Sequence, residues 1–253
     1  MDILEKLQKL NDILLKEMPQ YKNQIQNFTN DEKSQERLFR SLVNVRPPKK
    51  ASNEFLSLEK DYLQYVLSKK GVVSFEKSPQ IEIWQGDITR LSVDAIVNAG
   101  NEALLGCFYP CHGCIDNAIH THSGVELRLC CDEIMKKQNL PEKTGQAKIT
   151  PAFNLPCKNV IHTVGPIVSH KLTKSLREDL RNCYISCLEI AQKHELESIA
   201  FCCISTGEFH FPNKEAGEIA VSTVKEFVKN SSMKIIFNVF KDEDREIYEK
   251  LLK

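Results

Sequence analysis

The apolar positions of residues 1–70 recur at helical spacing. Ile3, Leu7, Leu10 and Leu14 fall on one face of a 3.6-residue repeat and are flanked by Lys and Glu, which predicts an amphipathic helix. Asp31 has the chemistry of a helix cap and precedes a second stripe of Leu38, Phe39, Leu42 and Val43, which Pro47-Pro48 then breaks. A third helix is predicted over 52–70 from Phe55, Leu58, Tyr62, Leu63 and Val66, with Gly71 ending it. No polar cluster of chemical interest interrupts these stripes. Residues 1–70 are expected to form an accessory helical layer.

From Val72 the rhythm changes to short β-branched runs alternating with longer amphipathic ones. Strands are predicted at 72–75, 81–84, 95–97, 147–150, 160–164, 199–204 and 234–239, and helices at about 115–137, 172–194, 214–228 and 242–252. Strands alternating with helices indicate a layered α/β domain over 71–253 with a mostly parallel sheet. In such folds ligands bind beyond the carboxyl ends of the strands. The loops that follow strands are therefore the ones to read for chemistry.

Composition narrows the function classes. Lys+Arg and Asp+Glu are both 34, so the net charge is zero and nothing global favours a nucleic-acid partner. No apolar run approaches the length of a membrane span, and residues 1–20 are charged throughout with no leader pattern. A reducing cytoplasm is the expected location, with most of the ten cysteines serving as small core residues. Adjacent pairs such as Cys130-Cys131 and Cys202-Cys203 point to opposite sides and read as core filler.

One loop departs from that use of cysteine. Gly106-Cys107-Phe108-Tyr109-Pro110-Cys111-His112-Gly113-Cys114 gathers three thiols and an imidazole at a spacing that can close on one tetrahedral zinc ion. The alternative is a loop of buried, redox-inert thiols. Asp116 lies just past this loop, where a helix is expected to begin. It either caps that helix or serves as a general base beside a metal.

Four further segments follow predicted strands. Gln85-Gly86-Asp87-Ile88-Thr89 offers a carboxylate that either accepts from an amine or hydroxyl or caps the next turn. Asn98-Ala99-Gly100-Asn101 suits a tight turn or places the Asn101 amide against ligand hydroxyls. Ser205-Thr206-Gly207-Glu208-Phe209-His210-Phe211-Pro212-Asn213 is a small glycine-containing loop entering a helix, an arrangement in which backbone amides cradle phosphate. Phe240, at a strand end, either stacks on a base or belongs to the core. Of the remaining imidazoles, His162 lies in an apolar strand and reads as a satisfied core histidine. His120 and His122 read as packing or surface groups, or as supports behind the metal loop.

Taken in order, Gly-Asp-Ile-Thr, Val-Asp-Ala-Ile-Val-Asn-Ala-Gly-Asn, Ile-Asp-Asn-Ala-Ile-His, Ile-Ser-Thr-Gly-x-Phe-x-Phe-Pro and Val-Phe-x-Asp-x-Asp resemble the macrodomain family of ADP-ribose-binding proteins, over about two thirds of the chain. Most macrodomains carry a run of glycines where this chain has the Cys/His loop. That departure looks like the zinc-containing branch of bacteria and some fungi, whose members also carry a helical N-terminal extension.

The resemblance implies a three-layer α/β/α fold around a mixed, mostly parallel sheet. It also implies roles for individual residues. Asp87 would bind the adenine amino group, Ile88 would pack beside the ring and Phe240 would stack on it. Ser205, Thr206, Gly207, Glu208 and Phe209 would wrap the diphosphate, and Asn101 would contact the distal ribose with Asp116 nearby. Cys107, His112 and Cys114 would hold one Zn2+, leaving the fourth position open unless Cys111 closes it.

The implied activity is zinc-dependent removal of mono-ADP-ribose from modified Asp or Glu side chains of a protein, with Asn101 and Asp116 in catalytic roles. A non-catalytic ADP-ribose reader with a structural zinc, and a deacylase of O-acyl-ADP-ribose, are the alternatives. Kinship alone adds a sirtuin-type ADP-ribosyltransferase and a lipoylated carrier of the glycine-cleavage H type as partners.

Overall fold

The computed structural model describes residues 2–75 and 78–253. Three helices come first: α1 (Ile3–Glu17), α2 (Glu32–Val45) and α3 (Asn53–Lys70). Asp2 and Glu5 form a reciprocal capping box at the start of α1, the Asp31 carboxylate accepts from the Ser34 amide to start α2, and Gly71 ends α3. Their apolar stripes meet in one buried cluster that includes Leu7, Leu10, Leu14, Phe39, Phe55 and Leu63. Val125, from a helix of the following α/β layer, completes it.

The rest of the chain runs β1 (Val73–Ser74), β2 (Ile81–Gln85), β3 (Leu91–Ser92), β4 (Ala95–Gly100), α4 (Ile115–Ser123), α5 (Val125–Gln138), β5 (Ala147–Pro151), β6 (Asn159–Val164), α6 (Lys174–Lys193), β7 (Ser198–Phe201), α7 (Asn213–Phe227), β8 (Lys234–Val239) and α8 (Asp242–Leu252). The main sheet has six strands in the order β2-β8-β7-β4-β6-β5. All neighbours are parallel except β5, which pairs antiparallel with β6 at the edge. Pro151 is tolerated there because an edge strand can spare a donor. Helices α4 and α5 pack on β4 and β5, while α6, α7 and α8 pack on one another and on the sheet. The result is the expected three-layer α/β/α arrangement.

Three sequence expectations need correction. The strand expected at 72–75 shrinks to β1, which pairs only with the unforeseen β3 in a separate two-stranded sheet. The strand expected at 199–204 ends at Phe201, and residues 202–204 already belong to the loop beyond it. The helix expected over 115–137 is two helices, because Gly124 turns the chain at φ 95°. A Cβ at Gly124 would lie 2.7 Å from Asn154 Nδ2 and 2.8 Å from Glu59 Oε2, so close approach of α3 also requires glycine here. Hydrophobic periodicity alone runs through such a break.

Candidate active site

Because β2, β8, β7, β4 and β6 are mutually parallel, their carboxyl ends share one edge of the sheet, and every segment singled out from the sequence emerges there. After β2, Asp87 caps a short turn, accepting from Thr89 N at 3.0 Å and Thr89 Oγ1 at 2.6 Å, and it meets Lys70 Nζ at 2.8 Å. Burial works to raise its pKa, but the hydrogen bonds from Lys70 and Thr89 outweigh burial and hold the carboxyl below its ordinary value. Ile88 is buried beside it in the core. Phe240, following β8, is 75% exposed; the core alternative for this ring is excluded.

The loop after β7 is shaped by close packing. Ser205 has φ 65° and a buried Oγ with no hydrogen-bond partner among the described residues. A Cβ on Gly165, just past β6, would come within 2.0 Å of that oxygen and 2.9 Å of Ile204 Cγ2, so a side chain there would force the Ser205 and Ile204 side chains to shift. Thr206 Oγ1 donates to Cys203 O, and the amides of His210 and Phe211 turn back to Gly207 O and Ser205 O. Among the described residues, the amides of Gly207, Glu208 and Phe209 meet no internal acceptor. An exposed run of free donors of this kind suits an anion.

After β4, both polar atoms of the Asn101 side chain serve the turn: Nδ2 donates to Gly106 O at 3.2 Å and Oδ1 accepts from Ala103 N at 3.1 Å. One N–H of the amide remains unspent. The chain then enters the Cys/His loop. The donor atoms of Cys107, His112 and Cys114 lie within 4.8 Å of one another, with His112 Nδ1 3.6 Å from Cys107 Sγ. The opposite ring nitrogen, Nε2, is 3.6 Å from Glu208 Oε1, so the Cys/His loop touches the loop after β7. Two sulfurs and a ring nitrogen so placed fit a zinc ion.

Cys111 stands outside that group. At φ 54°, with its amide bound to Asn44 Oδ1 at 2.9 Å, it turns its sulfur to Ser41 Oγ (3.3 Å) and Arg37 O. It therefore faces α2.

Helix α4 begins from the same loop, and its cap is sulfur: Cys114 Sγ accepts from Asn117 N at 3.4 Å. Asp116 is thus not the cap. It is buried, accepts from Asn98 Nδ2 at 2.8 Å and lies 3.5 Å from His120 Nε2. Burial pushes its carboxyl up to about 6 against the opposing pull of Asn98 and Arg128. Burial, with Cys107 and Asp116 nearby, likewise pushes the Cys114 thiol up to about 12.

A second group of metal-type donors, His120, Cys131 and His162, lies entirely in the interior. His162 meets Thr150 Oγ1 at 3.0 Å and Asn98 Nδ2 at 3.2 Å, the satisfied core histidine expected. His122 is held by Lys70 Nζ at 2.9 Å.

Sequence reasoning missed Arg40, Asn44 and Arg128, which tie α2 and α5 to the Cys/His loop. Arg128 donates to Leu105 O at 2.6 Å and to Val43 O at 2.9 Å, and its guanidinium lies 4.3 Å from the Phe108 ring centroid. The only local signal was a polar Asn44 beside the apolar stripe of α2, and it names no partner.

Comparison with known proteins agrees with this geometry. Residues 97–220 match the Macro domain family. A protein-ADP-ribose hydrolase of Treponema medium is 50% identical over 96% of this chain and 96% of its own length. Another, from Staphylococcus aureus strain MSSA476, is 48% identical over 83% of this chain and 82% of its own. Among solved structures, the Oceanobacillus iheyensis macrodomain with ADP aligns at a TM-score of 0.62 and 38% identity, covering 68% of this chain and 89% of that one. A six-stranded mixed sheet, the candidate loops gathered at one strand edge and relatives at this level of identity give one conclusion: the chain belongs to the macrodomain family.

Proposed function

We propose that this protein is a zinc-dependent protein-ADP-ribose hydrolase that removes mono-ADP-ribose from modified Asp or Glu side chains. The observation that carries the reading is the contact between His112 and Glu208, which brings the three-donor group against the loop assigned to the diphosphate. The relatives from Treponema medium and Staphylococcus aureus, both protein-ADP-ribose hydrolases by name, support the same activity. A Trypanosoma brucei macrodomain in complex with ADP-ribose, similar at a TM-score of 0.65 and 28% identity, supports the ligand.

Asp87 accepts from the adenine amine, and the exposed Phe240 ring supplies a stacking face while Ile88 backs the site from the core. The amides of Gly207, Glu208 and Phe209 donate to the diphosphate. Asn101 turns its remaining N–H to a hydroxyl of the distal ribose, and its other bonds keep the turn rigid. Asp116, oriented by Asn98, takes a proton from the water that attacks the ester linkage; the new bond to the water oxygen replaces that linkage, and the products are the free Asp or Glu carboxylate and ADP-ribose. A buried carboxyl raised toward neutrality is a stronger base than an ordinary one. Cys107, His112 and Cys114 would hold a zinc ion, which when bound would supply Lewis-acid chemistry. The remaining boundary, 1–70 as an extension and 71–253 as the macrodomain, is part of the same proposal.

The orientation of Cys111 toward α2 favours three donors over a closed four-ligand site, and so favours hydrolase over reader. The test is substitution of Cys107 or His112 by Ala. Zinc content and turnover of an Asp/Glu-linked substrate are expected to fall together, turnover by about a hundredfold or more, while ADP-ribose binding persists in calorimetry. Undiminished turnover in zinc-free protein would overturn the mechanism.

A further inference from the structure

We infer that Arg40, on α2 in the N-terminal helical layer, is a positioning residue for the Cys/His loop, so that this layer is part of the metal-binding apparatus. The inference rests on the functional reading above and deepens it. Nothing in the sequence motifs involves α2 in the site, but the hydrogen bonds do. Arg40 Nη2 donates to His112 O at 2.9 Å and to Asn117 Oδ1 at 2.9 Å, and Nε reaches the same Asn117 oxygen at 3.3 Å.

Asn117 passes the constraint on. Its Nδ2 donates to Tyr109 O at 3.1 Å and its own amide donates to Cys114 Sγ at 3.4 Å. One guanidinium thus fixes the main chain of His112 directly and, through Asn117, the sulfur of Cys114 and the carbonyl of Tyr109.

A neighbour one turn along α2 completes the hold. Asn44 accepts from the Cys111 amide and donates to Thr121 Oγ1 at 2.9 Å, joining α2 to the loop and to α4. The loop needs such support because Cys111 sits in the left-handed region, a conformation a non-glycine residue keeps only when its surroundings enforce it. Arg40 suits the task for a physical reason. A planar fork can serve a carbonyl and an amide oxygen together, whereas an ammonium offers a compact point charge with no fixed geometry.

Groups that orient metal ligands from behind typically contribute 10–100-fold to metal affinity. The experiment measures zinc transfer from purified full-length protein to a chromophoric chelator for wild type, Arg40→Lys and Arg40→Ala, alongside ADP-ribose affinity and thermal unfolding of the zinc-free proteins. Arg40→Ala is expected to weaken zinc binding by roughly 10–100-fold, with Arg40→Lys intermediate. ADP-ribose affinity should stay within error of wild type, while zinc-free Arg40→Ala should melt a few degrees lower, too little to account for the loss of zinc, because the buried Asn117 Oδ1 loses its donor.

Equal zinc affinity in wild type and Arg40→Ala overturns the inference and leaves the functional reading standing. A lower melting temperature of zinc-free Arg40→Ala that accounts for the whole loss, with Arg40→Lys behaving as wild type, also overturns it, since the role would then be general stability. Wild-type protein that takes up no zinc overturns the functional reading itself.

Discussion

Two groups of Cys and His donors sit close together in this molecule, and they have opposite characters. Cys107, His112 and Cys114 lie half-buried on a loop at the sheet edge, while His120, Cys131 and His162 lie sealed beneath it. Both present ligand atoms within 4.8 Å of one another. Within the inner group His162 is committed to Thr150 and Asn98, while both ring nitrogens of His120 are buried without a hydrogen-bond partner among the described residues; burial pushes His162 down to about 4, His120 downward and the Cys131 thiol upward. Its members are neutral packing groups. The outer group meets solvent, touches the opposite loop through Glu208 and is oriented from behind by α2. Donor types and proximity are shared by both clusters; what separates them is burial, which is complete in the inner group and partial in the outer one.

The contrast can be broken by mutation. Replacing His162 with Ala removes a buried ring and one hydrogen-bond partner each from Thr150 and Asn98, so a loss of roughly 3–4 kcal/mol is expected in denaturant unfolding. Zinc content per folded molecule should not change. A fall in zinc content at preserved fold would mean the inner cluster takes part in metal binding after all.

A smaller effect tests the role of burial elsewhere in the same region. Glu59 reaches from α3 to the start of α5, where both its oxygens lie 3.2 Å from Val125 N. Burial pushes it up to about 8, opposed by Val125 and Arg46 and reinforced by Glu126. His120 and Arg128 share the cavity of about 10 Å³ beside it.

Since the folded-state pKa exceeds the unfolded one, the folded protein holds the extra proton. Stability is then full below the ordinary carboxylate range and falls as pH rises through about 8. Glu59→Gln keeps an acceptor for Val125 and should flatten that slope, recovering on the order of 2 kcal/mol at the alkaline end in pH-dependent melts. An unchanged slope would show that Glu59 is ionised in the fold.

The smallest effect belongs to Cys111. Its thiol faces Ser41 and Arg37, so Cys111→Ser should leave metal stoichiometry and turnover within about twofold and stability within ~0.5 kcal/mol. Loss of zinc from this variant would make Cys111 a ligand and overturn the proposed three-donor site.

Much of this arrangement was legible from residue order. The stripes of α1 to α3, the Asp31 cap, the Pro47-Pro48 stop and the alternation of strands and helices need only local information, because periodicity and capping act within a few residues. Motif order identified the loops at the strand ends. The break at Gly124 and the short β1 were not legible, since each depends on what packs against the backbone. Asn101 was readable as a turn residue but not as one whose side chain anchors Gly106.

By itself, then, the sequence determined which elements form, in what order, and which loop carries sulfur and imidazole. Only the tertiary structure decided that Cys111 looks away from the other donors, that Asp116 is buried against Asn98 instead of capping α4, and that Arg40 supports the loop from 72 residues away. Local pattern encodes the short-range balance of burial and backbone geometry. Orientation of a side chain in a site is settled by partners distant in the chain, and those exist only once the helical layer has docked on the sheet.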